Sequence, residues 1–301
     1  MEYINLFDKD IPVKNELCST NKDKFLVVRP KLRLYIKLTD NCNANCLFCF
    51  NKTSSDYGKI DLKKLKYVIN YLYSLDRLQG ISITGGEPLT DKKVLFQILD
   101  IIYNIDRNIE VQISTNGYDI LKLLDYPDIN ILESIHISRH HYDEEVNKRI
   151  FNSNNVPTSK EIYLFQDKLE DKKIVNMNTV VMKNYIGNLE EIKKMLDYVG
   201  ELGVYKNGFI SLMNCNEFTN KEFINFNDIF SNLDGDFFQG HHFYARDYCE
   251  CVDGIYLTKY KKLVEYYARM IKNNIPNYST NLVYTSNNQV TLGFSNKVLY
   301  K

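Results

Sequence analysis

An α/β fold built on parallel strands is predicted for residues 32–213 of this 301-residue chain. Apolar runs typical of strands are followed by amphipathic runs with helical spacing, and this unit recurs about six times. Short connections between such units place the helices outside a parallel sheet. Six units are too few to close an eight-stranded barrel, so we expect a partial (βα)6 barrel.

Each predicted element depends on its own periodicity. The first strand, 32–38, alternates apolar with polar residues, and the helix at 61–75 repeats apolar residues at intervals of three and four. The other predicted strands are 79–84, 109–114, 132–138, 174–182 and 208–213. The other predicted helices are 92–105, 118–125, 143–151, 158–169 and 188–201.

The two ends of the chain do not follow this alternation. Residues 1–30 are polar and irregular, and we expect an N-terminal extension that packs on the main domain. Beyond Asn214 we expect a C-terminal extension over the barrel mouth, with a helix or a pair of strands at 255–272 and a hairpin at 283–294. The predicted division is therefore 1–30, 31–214 and 215–301.

Four polar segments follow four of the predicted strands. They are the cysteine-containing loop at 39–58, Gly85–Glu87, Ser114–Gly117 and Ser138–His141. In a barrel of parallel strands, the loops at the carboxyl ends of the strands carry the chemistry. We therefore expect these four segments to meet on one face and to form the active site.

Cys42, Cys46 and Cys49 form a C-x3-C-x2-C pattern in the first of these loops. Three thiolates aimed at one point suit an iron–sulfur cluster or zinc. Three ligands would leave one iron of a 4Fe–4S cluster open to a ligand from outside the protein.

Composition narrows the class of protein further. The seven cysteines are an odd number and no basic, then apolar, N-terminal signal precedes them, which favours metal ligation in a reducing, cytoplasmic compartment over disulfides. No apolar run is long enough to span a membrane. The formal net charge is zero, so nucleic-acid binding that depends on a basic field is not supported.

The cysteine loop, with Phe48 before its last cysteine, and the Gly85-Gly86-Glu87-Pro88 turn resemble the radical S-adenosylmethionine (radical SAM) superfamily. The resemblance implies a radical SAM partial barrel and a 4Fe–4S cluster on Cys42, Cys46 and Cys49. It further implies that SAM chelates the open iron and is cleaved reductively to a 5′-deoxyadenosyl radical, which abstracts hydrogen from a substrate. A zinc knuckle or packed thiols would be the alternative for the cysteines.

The resemblance also suggests which residues contact SAM. Gly85 and Gly86 would let the backbone approach the methionine part of SAM, because they lack side chains. The full set implied is Phe48, Gly85, Gly86, Glu87, Ser114, Asn116, Ser138 and Arg139. The guanidinium of Arg139 suits a carboxylate. His140 and His141 would face either the substrate or solvent, and no catalytic side chain is assigned.

Cys215, Cys249 and Cys251 could hold a second iron–sulfur cluster or could be free thiols. Their spacing departs from the C-x2-C-x13-C pattern of the molybdopterin-precursor cyclases of this superfamily and from the seven-cysteine SPASM array of many peptide modifiers. We therefore expect a small-molecule or cofactor-precursor substrate, with a ribosomal peptide as the alternative. A non-catalytic iron–sulfur protein is a third hypothesis. The expected partner is a flavodoxin- or ferredoxin-type electron donor.

Overall fold

A computed structural model describes residues 2–13, 32–49, 58–213, 215–225, 227–230, 254–257, 263–267, 281–294 and 297–301. The strands are β1 Glu2–Leu6, β2 Lys9–Val13, β3 Leu32–Lys37, β4 Leu78–Thr84, β5 Val111–Thr115, β6 Leu132–Ser138, β7 Val175–Val181, β8 Lys206–Ser211, β9 Gly254–Leu257, β10 Leu263–Tyr267, β11 Asn281–Tyr284, β12 Val290–Leu292 and β13 Val298–Tyr300. The α-helices are α1 Leu62–Ser74, α2 Lys92–Ile105, α3 Glu144–Phe151, α4 Ser159–Asp167, α5 Leu189–Glu201, α6 Glu217–Glu222 and α7 Asn227–Phe230. Short 3₁₀ helices cover Pro88–Asp91, Ile120–Asp125, Ile129–Ile131 and Lys172–Ile174.

One 11-stranded sheet organises the molecule, in the order β13-β12-β11-β3-β4-β5-β6-β7-β8-β10-β9. The strands from β11 to β10 in this order pair in parallel, whereas β9, β12 and β13 pair antiparallel at the two edges. The predicted partial barrel is confirmed. The strand–helix units of 32–213 form its middle, so the carboxyl ends of β3 to β8 share one rim.

The two faces of the sheet differ in chemistry. In β3, Leu32, Leu34 and Ile36 are fully buried against the helix layer, while the alternating residues are half-buried on the inner face. The helices complete the core through one apolar stripe each; in α1 this stripe is Leu65, Val68, Ile69 and Leu72. Alternation along each strand thus separates a dry helix-facing layer from an inner face that carries polar side chains.

An N-terminal hairpin replaces the irregular extension expected at the start of the chain. β1 and β2 pair antiparallel, and Phe7 and Asp8 turn between them with φ values of 52° and 59°. Their alternating apolar residues, including Leu6 and Ile11, are buried in the main core. The expectation of irregular structure was wrong for 2–13, because two five-residue strands with polar alternate positions look like a polar segment.

The described parts of 215–301 extend the sheet. The pair of strands expected within 255–272 is present as β9 and β10, and β10 lies beside β8. The predicted hairpin is confirmed as β11 and β12, and β11 pairs with β3 on the other side of the barrel. These strands therefore do not cover the barrel mouth as expected. The division of the chain into three parts stays a prediction. Among the described residues, no helix is both long and apolar enough to cross a membrane.

Candidate active site

The cysteine loop leaves β3 at the rim of the barrel and is held at several points. Leu38 N–H donates to the Thr84 carbonyl at 2.8 Å, and Asn45 N–H donates to the Phe151 carbonyl at 3.0 Å. Asp40 forms an ion pair with Lys37 and accepts a hydrogen bond from Ser286, which lies after β11. The loop is therefore positioned by the neighbouring strand β4, by the end of α3 and by the C-terminal hairpin.

The Gly85-Gly86 turn packs directly on this loop. Gly86 N–H donates to the Thr39 carbonyl at 2.7 Å, and Glu87 N–H donates to the Asn41 carbonyl at 2.8 Å. Gly85 has a φ of 148°, and a Cβ on either glycine would overlap the backbone of Thr39 or Asn41. Because the two glycines lack side chains, the backbone of the turn can approach the backbone of Thr39 and Asn41. This role is additional to their predicted contact with SAM.

The Glu87 carboxylate is fully buried below this turn. Its Oε1 accepts from Leu89 N–H at 3.0 Å and from the Thr115 hydroxyl at 2.6 Å, and its Oε2 accepts from Asn116 N–H at 2.6 Å. Burial raises the pKa of Glu87 to about 7, and these three donors oppose the rise by favouring the ionised form. Glu87 therefore binds the protein itself and connects the end of β4 with the end of β5.

Asn116 continues this connection to the cysteine loop. Its Nδ2 lies 2.8 Å from Asn43 Oδ1 and 3.7 Å from Cys42 Sγ. Asn43 in turn donates to the Asn155 carbonyl at 2.6 Å, and its own carbonyl accepts from the Ser153 hydroxyl at 2.9 Å. The predicted site residue Asn116 thus lies beside a cysteine. Asn43, which was not among the predicted site residues, connects the loop to the segment after α3.

The sulfur of Cys42 has polar neighbours from the protein although the residue is exposed. Partial burial of its thiol raises the pKa of Cys42, and negative charge on Glu87 and Cys49 adds to this rise. Hydrogen bonds from Ala44 N–H, at 3.4 Å, and from Asn116 act in the opposite direction by stabilising the thiolate. The sulfur of Cys42 is therefore an acceptor for two N–H donors.

Ser114 and Ser138 lie on the inner face of the barrel, as their predicted role requires. Ser114 is paired with His136 across β5 and β6, and Ser138 is paired with Asn178 across β6 and β7. The side chain of Asn178 bonds the His136 ring, and burial lowers the pKa of His136 to about 3. A neutral imidazole, two hydroxyls and an amide therefore form a polar layer beneath the rim.

Arg139 follows the end of β6, as predicted, and its side chain is buried. It is only 1% exposed, and its guanidinium donates to the carbonyls of His141 and Pro157, both at 2.9 Å. The same group lies 5.1 Å from the centre of the Tyr198 ring in α5. This geometry argues against the predicted contact with a SAM carboxylate. Arg139 is held in the helix layer because the side chain following Ser138 points to the other face of the sheet.

Phe48, in the cysteine loop, packs against the His140 ring, which follows β6. Its ring meets His140 edge-on with centroids 4.9 Å apart, and His140 stacks on Phe151 at 4.7 Å. His140 and His141 are both buried, so the expectation that they face solvent was wrong. Burial lowers the pKa of His140 to about 3, and its Nδ1 accepts from Val180 N–H at 3.1 Å.

Cys215 lies near the cysteine loop and not in a separate region. Its thiol is 3.6 Å from the Phe48 carbonyl, and the neighbouring Asn216 donates to the Leu47 carbonyl at 3.0 Å. Cys249 and Cys251, the other two members of the suggested second cluster, lie outside the described residues. Cys215 and Asn216 therefore help to hold the cysteine loop, and the second cluster stays a prediction.

The residues present fit an iron–sulfur cluster better than a single ion. Cys42, Cys46 and Cys49 lie on one loop and form no disulfide among the described residues, and Cys49 N–H donates to the Cys46 carbonyl at 3.2 Å. Within the described residues, no three His, Cys, Asp or Glu side chains are arranged to hold one metal ion. A cubane cluster binds each thiolate at a different iron, and its ligand set is made of sulfur, so both observations agree with it.

Comparison with known proteins identifies the family. The model of the radical SAM superfamily matches residues 36–226, which include the cysteine loop and every strand from β4 to β8. The chain belongs to the radical SAM superfamily. Members of this superfamily use a 4Fe–4S cluster and SAM, together with a reductant and a substrate.

Two relatives of this radical SAM chain have names that refer to nucleotides. It is 29% identical to a GTP 3′,8-cyclase of Clostridium perfringens, over 61% of this chain and 56% of the relative. It is 27% identical to an S-adenosylmethionine-dependent nucleotide dehydratase of a Fibrobacter species, over 56% and 52% of the two chains. The chain thus spans about half the length of these curated relatives.

Solved structures share the fold at lower sequence identity. SuiB of Streptococcus suis has a TM-score of 0.60 at 17% identity, covering 86% of this chain and 59% of SuiB. SuiB bound to its precursor peptide SuiA has a TM-score of 0.51 at 19% identity, covering 64% and 42% of the two chains. At this level of identity the likeness describes the fold alone.

Three contributors to the site were absent from the predicted set. Thr115 donates to Glu87, Asn43 in the cysteine loop accepts from Asn116, and His136 lies on the inner face between the two predicted serines. Alternation along β5 would have placed Thr115 on the buried face, opposite to Ser114. No sequence signal identified Asn43, because its role depends on the approach of the loop after β5.

Proposed function

We propose that this chain binds a 4Fe–4S cluster through Cys42, Cys46 and Cys49 and uses it to cleave SAM reductively. The arrangement of the cysteine loop against the Gly85-Gly86 turn carries this proposal. When bound, the cluster supplies one electron to SAM, whose C–S bond breaks to give methionine and a 5′-deoxyadenosyl radical that takes hydrogen from the substrate. The protein contributes the loop that holds the cluster and the polar groups that orient SAM.

The contacts to SAM are assigned to groups that a ligand at the rim can reach. The turn at Gly85 and Gly86 offers backbone, while Ser114 and Ser138 offer half-buried hydroxyls on the inner face. Phe48 offers a partly buried ring beside the cysteines. Glu87 and Arg139 have their hydrogen bonds directed into the protein, so we assign them no direct contact with SAM.

We further propose that the substrate is a small polar molecule held within the barrel. His136 and Asn178, which lie beside Ser114 and Ser138 in the polar layer, support this, because their side chains are partly exposed and face inward. His136 stays neutral at physiological pH, so this layer suits hydrogen bonding more than charge pairing. The nucleotide-directed names of two relatives agree with a small polar substrate.

A ribosomal peptide is the second candidate for the substrate. It is favoured by the shared fold of SuiB, which has been solved with a precursor peptide. A flavodoxin- or ferredoxin-type protein is the proposed electron donor for either substrate. The reaction would occur in the cytoplasm, where unpaired thiols stay reduced.

The decisive experiment is anaerobic reconstitution followed by addition of dithionite and SAM. We expect about four irons per chain and formation of 5′-deoxyadenosine, with both lost in Cys46→Ser. If a Cys249→Ala/Cys251→Ala variant binds as much iron as the wild type, the hypothesis of a second cluster is rejected. A reconstituted wild type that binds no SAM in calorimetry and makes no 5′-deoxyadenosine would instead be an electron carrier. Nucleoside triphosphates and synthetic peptides, added separately, should differ in how much they stimulate 5′-deoxyadenosine formation.

A further inference from the structure

A line of hydrogen bonds runs from the buried Glu87 carboxylate to the sulfur of Cys42. We propose that Glu87 is a positioning residue that acts through Asn116 to set the reduction potential of the cluster held by the cysteine loop. The proposal rests on the proposed function for the cluster itself. It adds a role for Glu87 and Asn116 that differs from contact with SAM.

Every described hydrogen bond to the Glu87 carboxylate is donated by a neighbouring group. Gly117 N–H donates to Thr115 Oγ1 at 2.8 Å, so the proton of the Thr115 hydroxyl is free to donate to Glu87 Oε1. Leu89 N–H reaches the same oxygen, and Asn116 N–H reaches Oε2. Both oxygens therefore accept only. A glutamine would have to place its NH₂ group against one of these donors.

The second step is the orientation of the Asn116 amide. Its backbone N–H is held by Glu87, and its Oδ1 accepts from Tyr118 N–H at 2.9 Å. Since the oxygen is committed to Tyr118, the NH₂ group must point the other way, toward Asn43 Oδ1 and Cys42 Sγ. The network thus decides which end of the amide faces the cysteine.

The third step is the effect on the sulfur. Cys42 Sγ receives N–H groups from Ala44 at 3.4 Å and from Asn116 at 3.7 Å. Hydrogen bonds to cluster sulfurs stabilise the reduced, more negative state and so raise the reduction potential. Asn43, which shares the Asn116 amide, is itself tied to the segment after α3. The donor is therefore held in place from both sides.

Direct binding of SAM by the Glu87 carboxylate does not explain this geometry. The residue is fully buried, and the described hydrogen bonds of its carboxylate run to Leu89, Thr115 and Asn116. The carboxylate therefore acts at a distance, by holding Asn116.

The test is a redox titration of the reconstituted full-length chain, monitored by electron paramagnetic resonance and performed without SAM. We expect Asn116→Ala to keep its iron but to have a more negative midpoint potential. Asn116→Asp retains an acceptor for Tyr118 N–H but places an oxygen where the donor was, so its shift should be larger. Glu87→Gln disturbs the bond to Asn116 N–H but also removes a negative charge, which alone would raise the potential. Glu87 is therefore tested by a double-mutant cycle, in which Asn116→Ala should shift the potential less in the Glu87→Gln background than in the wild type. Asn154→Ala, at an exposed position near the same segment, serves as the matched control and should leave the potential unchanged.

The outcomes separate the proposal from its alternatives. Unchanged potentials in Asn116→Ala and Asn116→Asp, each at full iron content, overturn it. A shift for Asn116→Ala that is equally large in the wild type and in the Glu87→Gln background overturns the part assigned to Glu87. A purely scaffolding role predicts lower iron content that follows the stability of the apo-protein, with an unchanged potential in the cluster that remains, and this also overturns it. A wild type that takes up no cluster would reject the proposed function instead, and iron analysis before the titration detects this case.

Discussion

The rim of the barrel has two regions that use buried charge in opposite ways. The cysteine-side rim comprises 38–49, 85–87 and 115–117. The region that we call the opposite rim comprises 139–141, 182–188 and 215–219, and it meets the cysteine loop at Leu47 and Phe48. Glu87, in the first region, directs its bonds to Thr115 and Asn116 and through them to the cysteine loop. Arg139, in the second, directs its bonds to the segments that precede α3 and α4.

A charged residue at the end of a strand is therefore not by itself a ligand contact. Both carboxylate oxygens of Glu87 accept hydrogen bonds, whereas Arg139 retains a buried Nη2 without a hydrogen-bond partner among the described residues. A buried charge of either sign must be satisfied by nearby groups. Glu87 finds its partners at the rim and so holds the site, whereas Arg139 finds its partners in the segments before α3 and α4 and so holds the helix layer.

The largest effect should come from removing the charge of the opposite rim. Arg139→Ala leaves two buried carbonyls without a donor and creates a cavity against Tyr198, so we expect a loss of about 3–5 kcal/mol in the free energy of unfolding. Urea denaturation of the apo-protein measures this. Arg149→Ala, at an exposed position of α3, is the matched control and should change stability by less than about 0.5 kcal/mol. A stable Arg139→Ala protein that no longer binds SAM would restore the role first predicted for this residue.

The next effect concerns the backbone of the cysteine-side rim. In Gly86→Ala, the new Cβ would overlap the Asn41 carbonyl oxygen, so the turn must move away from the loop and weaken two backbone hydrogen bonds. We expect a loss of about 3 kcal/mol in stability, combining overpacking with a lost hydrogen bond. Iron content after reconstitution should fall as well. A variant with normal iron and normal stability would show that the close approach of the two backbones is not needed.

Periodicity and spacing predicted most of the fold, because both are properties of short segments. Alternation located β3 to β8, and the cysteine spacing with the glycine turn located the cysteine-side rim. The positions of β10 and β11 in the sheet could not be predicted, since they depend on pairing with strands more than 50 residues away in sequence. The directions of Glu87 and Arg139 were equally hidden, because each depends on which layer offers donors or acceptors.

Acidification should act on the opposite rim through His140. Its pKa is about 3 in the folded protein and about 6.5 when unfolded, so the unfolded state binds the extra proton between these values and stability falls as pH falls. Between pH 6.5 and pH 5 we expect a loss of about 2 kcal/mol from this group. The measurement is urea denaturation at both pH values for the wild type and for His140→Asn, whose Oδ1 can still accept from Val180 N–H.

The contributions of the other histidines are common to both proteins and cancel in this comparison. The wild type should therefore be the more acid-sensitive of the two by roughly that amount. Equal pH dependence of the wild type and the variant would mean that His140 can take up a proton without leaving its place between Phe48 and Phe151.

The smallest effect uses the same chemical change as Gly86→Ala but away from either rim. Gly200 lies in the last turn of α5, and an added Cβ meets no other atom within 4 Å. Because alanine loses less conformational freedom than glycine on forming a helix, Gly200→Ala should stabilise the chain by about 0.5–1 kcal/mol, with the lower value favoured near a helix end. Its iron content should equal that of the wild type. If Gly86→Ala and Gly200→Ala changed stability in the same direction, the space around Gly86 would not be the reason that glycine is required there, and the contrast between a packed rim and a free helix surface would fail.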